Sequence, residues 1–159
     1  MAPADKRPIV LTNLDNAFAS QWRDEGIEVH VEPERASRGL RKAPLGYAAA
    51  YVRYHRRLRA LLAESGARVV HANDPLAFQL SLSAAKLGGA KIALNLRGTI
   101  APERRPPRLK FSLLFAAADH VLYLSHDMAR RWKEVAHNAT RACSVTYSII
   151  DPDRFRPSP

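Results

Sequence analysis

The sequence predicts an α/β fold built on a mostly parallel sheet of about six strands with helices on both faces, and three observations carry that reading. Short β-branched runs alternate with helical stretches in the order β, α, β, long helix, β, α, β, α, β, α, β. Runs such as VVHA and KIALNL suit strands covered on both faces. The chain has 159 residues, 47% of them hydrophobic and 25% charged, which is one domain's worth and enough to bury a core.

Each element follows from local pattern. After a tail over residues 1–7 that reads as disordered, Pro8 to Thr12 is a strand. Asn13 to Asn16 resembles a helix start, and Leu14, Ala17, Phe18 and Trp22 recur at helical spacing and predict one apolar face up to Glu25. Gly26 stands where a helix C′ residue belongs. Ile27 to Val31 alternates apolar and polar residues, as an edge strand does. On its polar side, His30 reads as solvated rather than catalytic. Residues 32–44 lack a period and read as a basic loop. A long helix is expected from Leu45 to Glu64, with Leu45, Ala49, Val52, Leu58, Leu61 and Leu62 as its apolar stripe and Arg53, Arg56, Arg57 and Arg59 opposite.

In RVVHANDPL, Val69 and Val70 form a buried strand and Asp74-Pro75 an N-cap followed by proline at the first helical position. Leu76, Leu80, Ala84 and Leu87 mark the next helix, closed by Gly88-Gly89. Lys91 to Leu96 is a further strand, residues 101–108 a proline-rich basic connection, and a helix runs from about Pro107 to Ala118. Val121 to Leu124 is a strand. Ser125, His126 and Asp127 are adjacent and cannot converge as a catalytic triad, so Ser125 reads as the cap of a helix over Met128 to Val135. Cys143 to Tyr147 is the last strand, which gives the lone Cys143 the expected character of a buried, inert thiol.

Composition excludes several classes. No apolar run approaches the roughly 18 residues that span a bilayer, and the start MAPADKRPIVL lacks the apolar core of a signal peptide. Cytoplasmic residence is the default expectation. One cysteine rules out an internal disulfide, and no metal-ligand spacing, G-x-G-x-x-G or Walker loop is present. The net charge of +10 points to anionic surroundings, either nucleic acid or an anionic membrane, although an arginine-rich coding bias would produce part of it. Basic amphipathic helices are a membrane-surface signature, so Arg53, Arg56 and Arg57, together with Arg104 and Arg105 in the connecting loop, are candidate contacts for an anionic surface.

Ligands of parallel α/β sheets sit outside the carboxyl ends of the strands. That rule selects His71, Asn73 and Asp74 after one strand, Arg97, Gly98 and Thr99 after the next, and Ser125 after a third. Arg97 can hold a phosphate or carboxylate bidentately, with an ordinary ion pair as the alternative, and Gly98 permits close backbone approach.

Four segments in order, VVHANDP, ALNLRGT, ADHVLYLSHDM and SVTYSIIDPDRFRP, resemble the amino-terminal half of a family 4 glycosyltransferase of the GT-B fold, over about residues 26–159. The resemblance implies a Rossmann-like three-layer sandwich over residues 8–150, with residues 151–159 opening an interdomain linker and the C-terminal donor-binding domain absent. It implies a hexosyltransferase-type enzyme that transfers sugar with retention from a nucleotide-sugar donor to a saccharide or lipid-linked acceptor. His71, Asn73, Asp74, Arg97, Gly98, Thr99 and Ser125 would line the acceptor side of the cleft. No cofactor is expected in these residues, since the donor belongs to the missing half along with the family's paired glutamates. This chain by itself is then an incomplete enzyme with no complete catalytic set and no metal.

The chain departs from the family pattern in two further ways: no glycine-rich loop precedes Pro8, and Ser148-Ile149 replaces the usual Asn-Gly. Pro8 to Thr12 would match the family's second strand and leave the central place vacant, which costs unpaired backbone groups unless Pro8 to Thr12 fills it. Expected partners are the acceptor, a separate donor-domain subunit and the anionic inner face of the membrane. The alternative is a noncatalytic basic α/β module that binds nucleic acid or another polyanion. No nucleic-acid-binding motif supports that alternative, so nucleic acid is not the expected partner.

Overall fold

The structure, a computed structural model, describes residues 8–12, 14–32, 44–98, 108–136 and 142–147. The tail over 1–7, the linker over 151–159, Thr99, Arg104 and Arg105 lie outside the described residues. The chain divides into two compact units, Met1–Ala60 and Leu61–Pro159.

In the first unit, β1 (Ile9–Thr12) leads through α1 (Ala17–Asp24) to β2 (Glu28–Val31). The two strands pair in parallel, with Ile9 opposite Glu28 and Thr12 opposite Val31. Asn16 starts α1 as the local pattern predicts: its Oδ1 accepts from the Phe18 and Ala19 amides at 3.1 Å each. Gly26 ends the turn at φ 77°, a left-handed conformation that a side chain would strain. The apolar face expected of α1 is not a core face. Only Ala19 is buried in it, while Leu14 and Phe18 (66% exposed) face solvent, and Phe18 and Trp22 pack on each other instead. Periodicity finds the helix but cannot tell whether a two-stranded sheet is broad enough to cover it.

The long helix α2 (Pro44–Ser65) begins in the first unit and ends in the second. Its apolar stripe divides in a way the spacing did not predict. Ala50, Leu58, Leu61 and Leu62 are buried, whereas Leu45 (85% exposed), Ala49 and Val52 (53% exposed) point outward.

The second unit carries β3 (Val69–Ala72), α3 (Pro75–Leu87), β4 (Lys91–Leu96), α4 (Arg108–Ala117), β5 (His120–Tyr123), α5 (His126–Val135) and β6 (Cys143–Val145). The strands form a parallel sheet in the order β3-β4-β5-β6. Every crossover steps in the same direction, so right-handed connections place α3, α4 and α5 on one face of this sheet. That face holds Ala72, Ile92, Leu94, Leu96, Val121 and Tyr123, all buried, and the register lays Leu94 beside both Ala72 and Val121. Phe78, Leu80, Ala84 and Ala85 of α3 are buried too, while Leu87, expected on the inner stripe, is exposed. Between α4 and α5, Trp132 packs against Phe111 and edge-on against Phe115, at centroid distances of 4.7 and 5.5 Å.

Among the described residues six strands are present, hydrogen-bonded as sheets of two and four. Among them β1 pairs with β2. Cys143 is exposed rather than buried, because β6 is a short strand at the edge of its sheet, and Val69, expected in a buried strand, is likewise exposed because β3 is the other edge.

Candidate functional site

The two edges of the four-stranded sheet differ in chemistry. At the amino edge, Asp119 ties three elements together. Its carboxylate accepts from Lys86 Nζ at 2.7 Å, from the Ile92 amide at 2.8 Å and from Lys91 Nζ at 3.3 Å, while its own amide donates to the Ile92 carbonyl. The Lys86 hydrogen bond, together with those from Ile92 and Lys91, holds its pKa at about 2. Every partner is satisfied, so this is a structural clamp. Sequence reading passed over Asp119 because its partners come from α3 and β4.

The carboxyl edge gathers the predicted residues. Asp74 is consumed as the N-cap of α3, its Oδ1 accepting from the Leu76 and Ala77 amides at 2.7 and 2.8 Å. Ser125 caps α5 in the same manner, its Oγ accepting from the Met128 amide at 3.1 Å. Both are cap residues, as local sequence predicts, and neither oxygen is free to act as a base without loosening a helix start. Asp127 turns away to Arg130 and Arg131, whose hydrogen bonds hold its carboxylate below the ordinary range, with Arg131 contributing most. The three adjacent residues Ser125, His126 and Asp127 accordingly do three unrelated things.

His71, Asn73, Asn95 and Arg97 remain. By strand alternation His71 shares the sheet face of Asn95, opposite the face that α3, α4 and α5 cover. Asn95 Nδ2 reaches Asn73 Oδ1 at 3.5 Å, which links the ends of β3 and β4. Local desolvation, reinforced by the charge of Arg97, lowers the His71 pKa below the ordinary histidine range, which keeps the imidazole neutral. Arg97 is exposed and has no carboxylate partner among the described residues. The ordinary ion pair that stood as its alternative is thus not formed among them. Gly98 has open space around its Cα, so a Cβ there would meet nothing.

Of the basic residues on α2, two are engaged within the first unit. Arg53 Nε meets Glu32 Oε1 at 3.2 Å, and Arg57 Nη2 donates to His30 Nδ1 at 2.5 Å. His30 in turn contacts Glu28 through Nε2, so it is a half-buried structural link and not the solvated residue its position suggested. Arg56 is exposed on the outward side of the helix.

Sequence reasoning missed one feature of the carboxyl edge. Tyr147, just past β6, lies against His126 at the start of α5, with ring centroids 6.1 Å apart and planes at 65°. Among the described residues no group of three or more His, Cys, Asp or Glu could hold a metal ion.

A parallel α/β unit with its helices on the sheet and polar side chains gathered at its carboxyl edge has the architecture of the Rossmann-like class. The sequence matches the Glycosyltransferase Family 4 family over residues 16–154, and the chain belongs to that family. Its fold is similar to that of HepE from Anabaena, seen in crystal structures with UDP and glucose and with UDP. The TM-scores are 0.65 and 0.63 at 16% and 17% identity. Each comparison covers 95% of this chain but 39% of HepE, so the chain spans about two fifths of the length of that relative. No curated protein sequence matches it.

Proposed function

We propose that this chain is the acceptor-binding half of a retaining glycosyltransferase, which transfers a hexosyl group from a nucleotide-sugar donor to a saccharide or lipid-linked acceptor. The observation that carries the reading is the composition of the carboxyl edge. It offers hydrogen-bonding groups for an acceptor, in Asn73, Asn95, His71 and Arg97, while Asp74 Oδ1 is committed to the α3 cap and the Asp127 carboxylate to its arginines. Such an edge can hold and orient a hydroxyl nucleophile, but breaking the donor's glycosidic bond falls to groups outside it.

In this reading Arg97 holds an anionic group of the acceptor, because an exposed guanidinium with no carboxylate partner among the described residues is a charge-assisted donor in waiting. The neutral His71 near it accepts or donates one hydrogen bond without setting a second positive charge against Arg97. In enzyme reconstituted with a nucleotide-sugar-binding domain, Arg97→Ala is expected to raise acceptor KM about ten-fold or more, in line with the loss of a charged hydrogen bond, and to leave donor KM unchanged. An unchanged acceptor KM and rate would sink the assignment.

The outward stripe of α2 supports a second element of the same function, contact with an anionic membrane that presents a lipid-linked acceptor. Leu45 and Val52 are exposed along the helix from Arg56. No helix among the described residues is long and apolar enough to cross a membrane, so the contact is peripheral. Flotation with vesicles containing anionic lipid should be lost in high salt and weakened by Arg56→Glu. Binding that ignores both would exclude this contact.

A further inference from the structure

We infer that Tyr147, braced by His126, is a platform on which a sugar ring of the acceptor stacks, an inference that rests on the saccharide-acceptor reading above. Tyr147 follows β6 directly and lies at the same carboxyl edge as Arg97, yet 62% of it is exposed. A large aromatic side chain so placed contributes little to the core. Its ring is nonetheless held against His126, with centroids 6.1 Å apart and planes at 65°. His126 is itself positioned by the helix start that Ser125 caps, so the tyrosine is braced by a helix residue.

The chemistry of that surface selects the ligand. An aromatic ring carries negative charge density on its faces, and the C–H bonds along one side of a pyranose present a patch of weakly positive hydrogens that complements it. The tyrosine hydroxyl and an imidazole nitrogen can meet the sugar's hydroxyls at the rim of the same contact. Tyrosine supplies this area at small entropic cost because it has few rotatable bonds.

Saturation-transfer difference NMR on the whole chain tests the platform, with methyl β-D-glucopyranoside as the cyclic probe and sorbitol as the acyclic one. Saturation of the glucoside ring hydrogens is expected with the wild-type chain and not with sorbitol. Tyr147→Ala should weaken glucoside binding roughly three- to ten-fold. Tyr147→Trp should retain it, because an indole offers a ring face of the same kind. Equal glucoside binding by wild type and a folded Tyr147→Ala overturns the platform and leaves the saccharide reading standing. Absence of binding to the wild-type chain overturns both.

Discussion

The charge of Arg97 acts on His71, and the consequence is measurable at the imidazole. Replacing Arg97 by alanine removes one of the two influences that depress the His71 pKa, so the imidazole titration followed by NMR should move upward toward the ordinary value of about 6.5. An unmoved titration would show that burial alone sets it. The sign of the stability effect follows. The folded value lies below the unfolded one, so neutral His71 suits the folded state, and stability is lost as pH falls from about 6.5 through the folded pKa. Asp119 works in a lower window. Its folded pKa of about 2 lies below the unfolded value of 3.8, so its contribution is complete above pH 3.8 and disappears as pH falls toward 2. With solvent screening of the two lysine pairs, that contribution is about 1–2 kcal/mol. Asp119→Ala should lower the urea midpoint at pH 6, and the difference from wild type should vanish near pH 2.

At the scale of the element, helix starts are local and helix faces are not. Asp74 and Ser125 act as caps because a short polar side chain before an exposed turn needs only the next few amides to satisfy it. The face of α2 is decided by what packs on it. Leu61 is buried and Val52 is exposed, although both belong to one apolar pattern. Leu61→Ala should cost about 2–4 kcal/mol by emptying packed space, while Val52→Ala should change stability by less than about 0.5 kcal/mol. Chemical denaturation of the two variants checks the sidedness, and equal costs would contradict it. The same reasoning explains why Leu14 and Phe18 of α1 look like core residues in sequence and are not.

At the scale of the whole molecule, the difference between a sheet of two strands and one of four should appear as a difference in local stability. An isolated two-stranded sheet is marginal, whereas four parallel strands with α3, α4 and α5 on one face bury a continuous apolar layer of Ile92, Leu94, Leu96, Val121 and Tyr123. Amide hydrogen exchange should therefore be slowest at β4 and β5, and faster by at least about ten-fold at β1 and β2, which corresponds to ~1.4 kcal/mol in opening free energy. Uniform protection across both sheets would count against this division.

The elements, their order, the parallel α/β class and the family were all legible in the sequence, because alternation of β-branched runs with helical periods, cap residues and turn glycines are short-range signals. The candidate site was partly legible for the same reason. A strand end is a local event, so His71, Asn73, Asp74, Arg97 and Ser125 could be placed at the carboxyl edge before any fold was known. Which of them stay available was settled by tertiary structure: Asp74 and Ser125 spend their oxygens on backbone amides, and Arg97 is left without a carboxylate among the described residues. The burial of His30, the exposure of Cys143, the clamp at Asp119 and the meeting of His126 with Tyr147 join residues from different elements. Only the pairing and register of strands decide such contacts, since a side chain's neighbours across a sheet are set by which strand lies beside it and not by the residues that precede it.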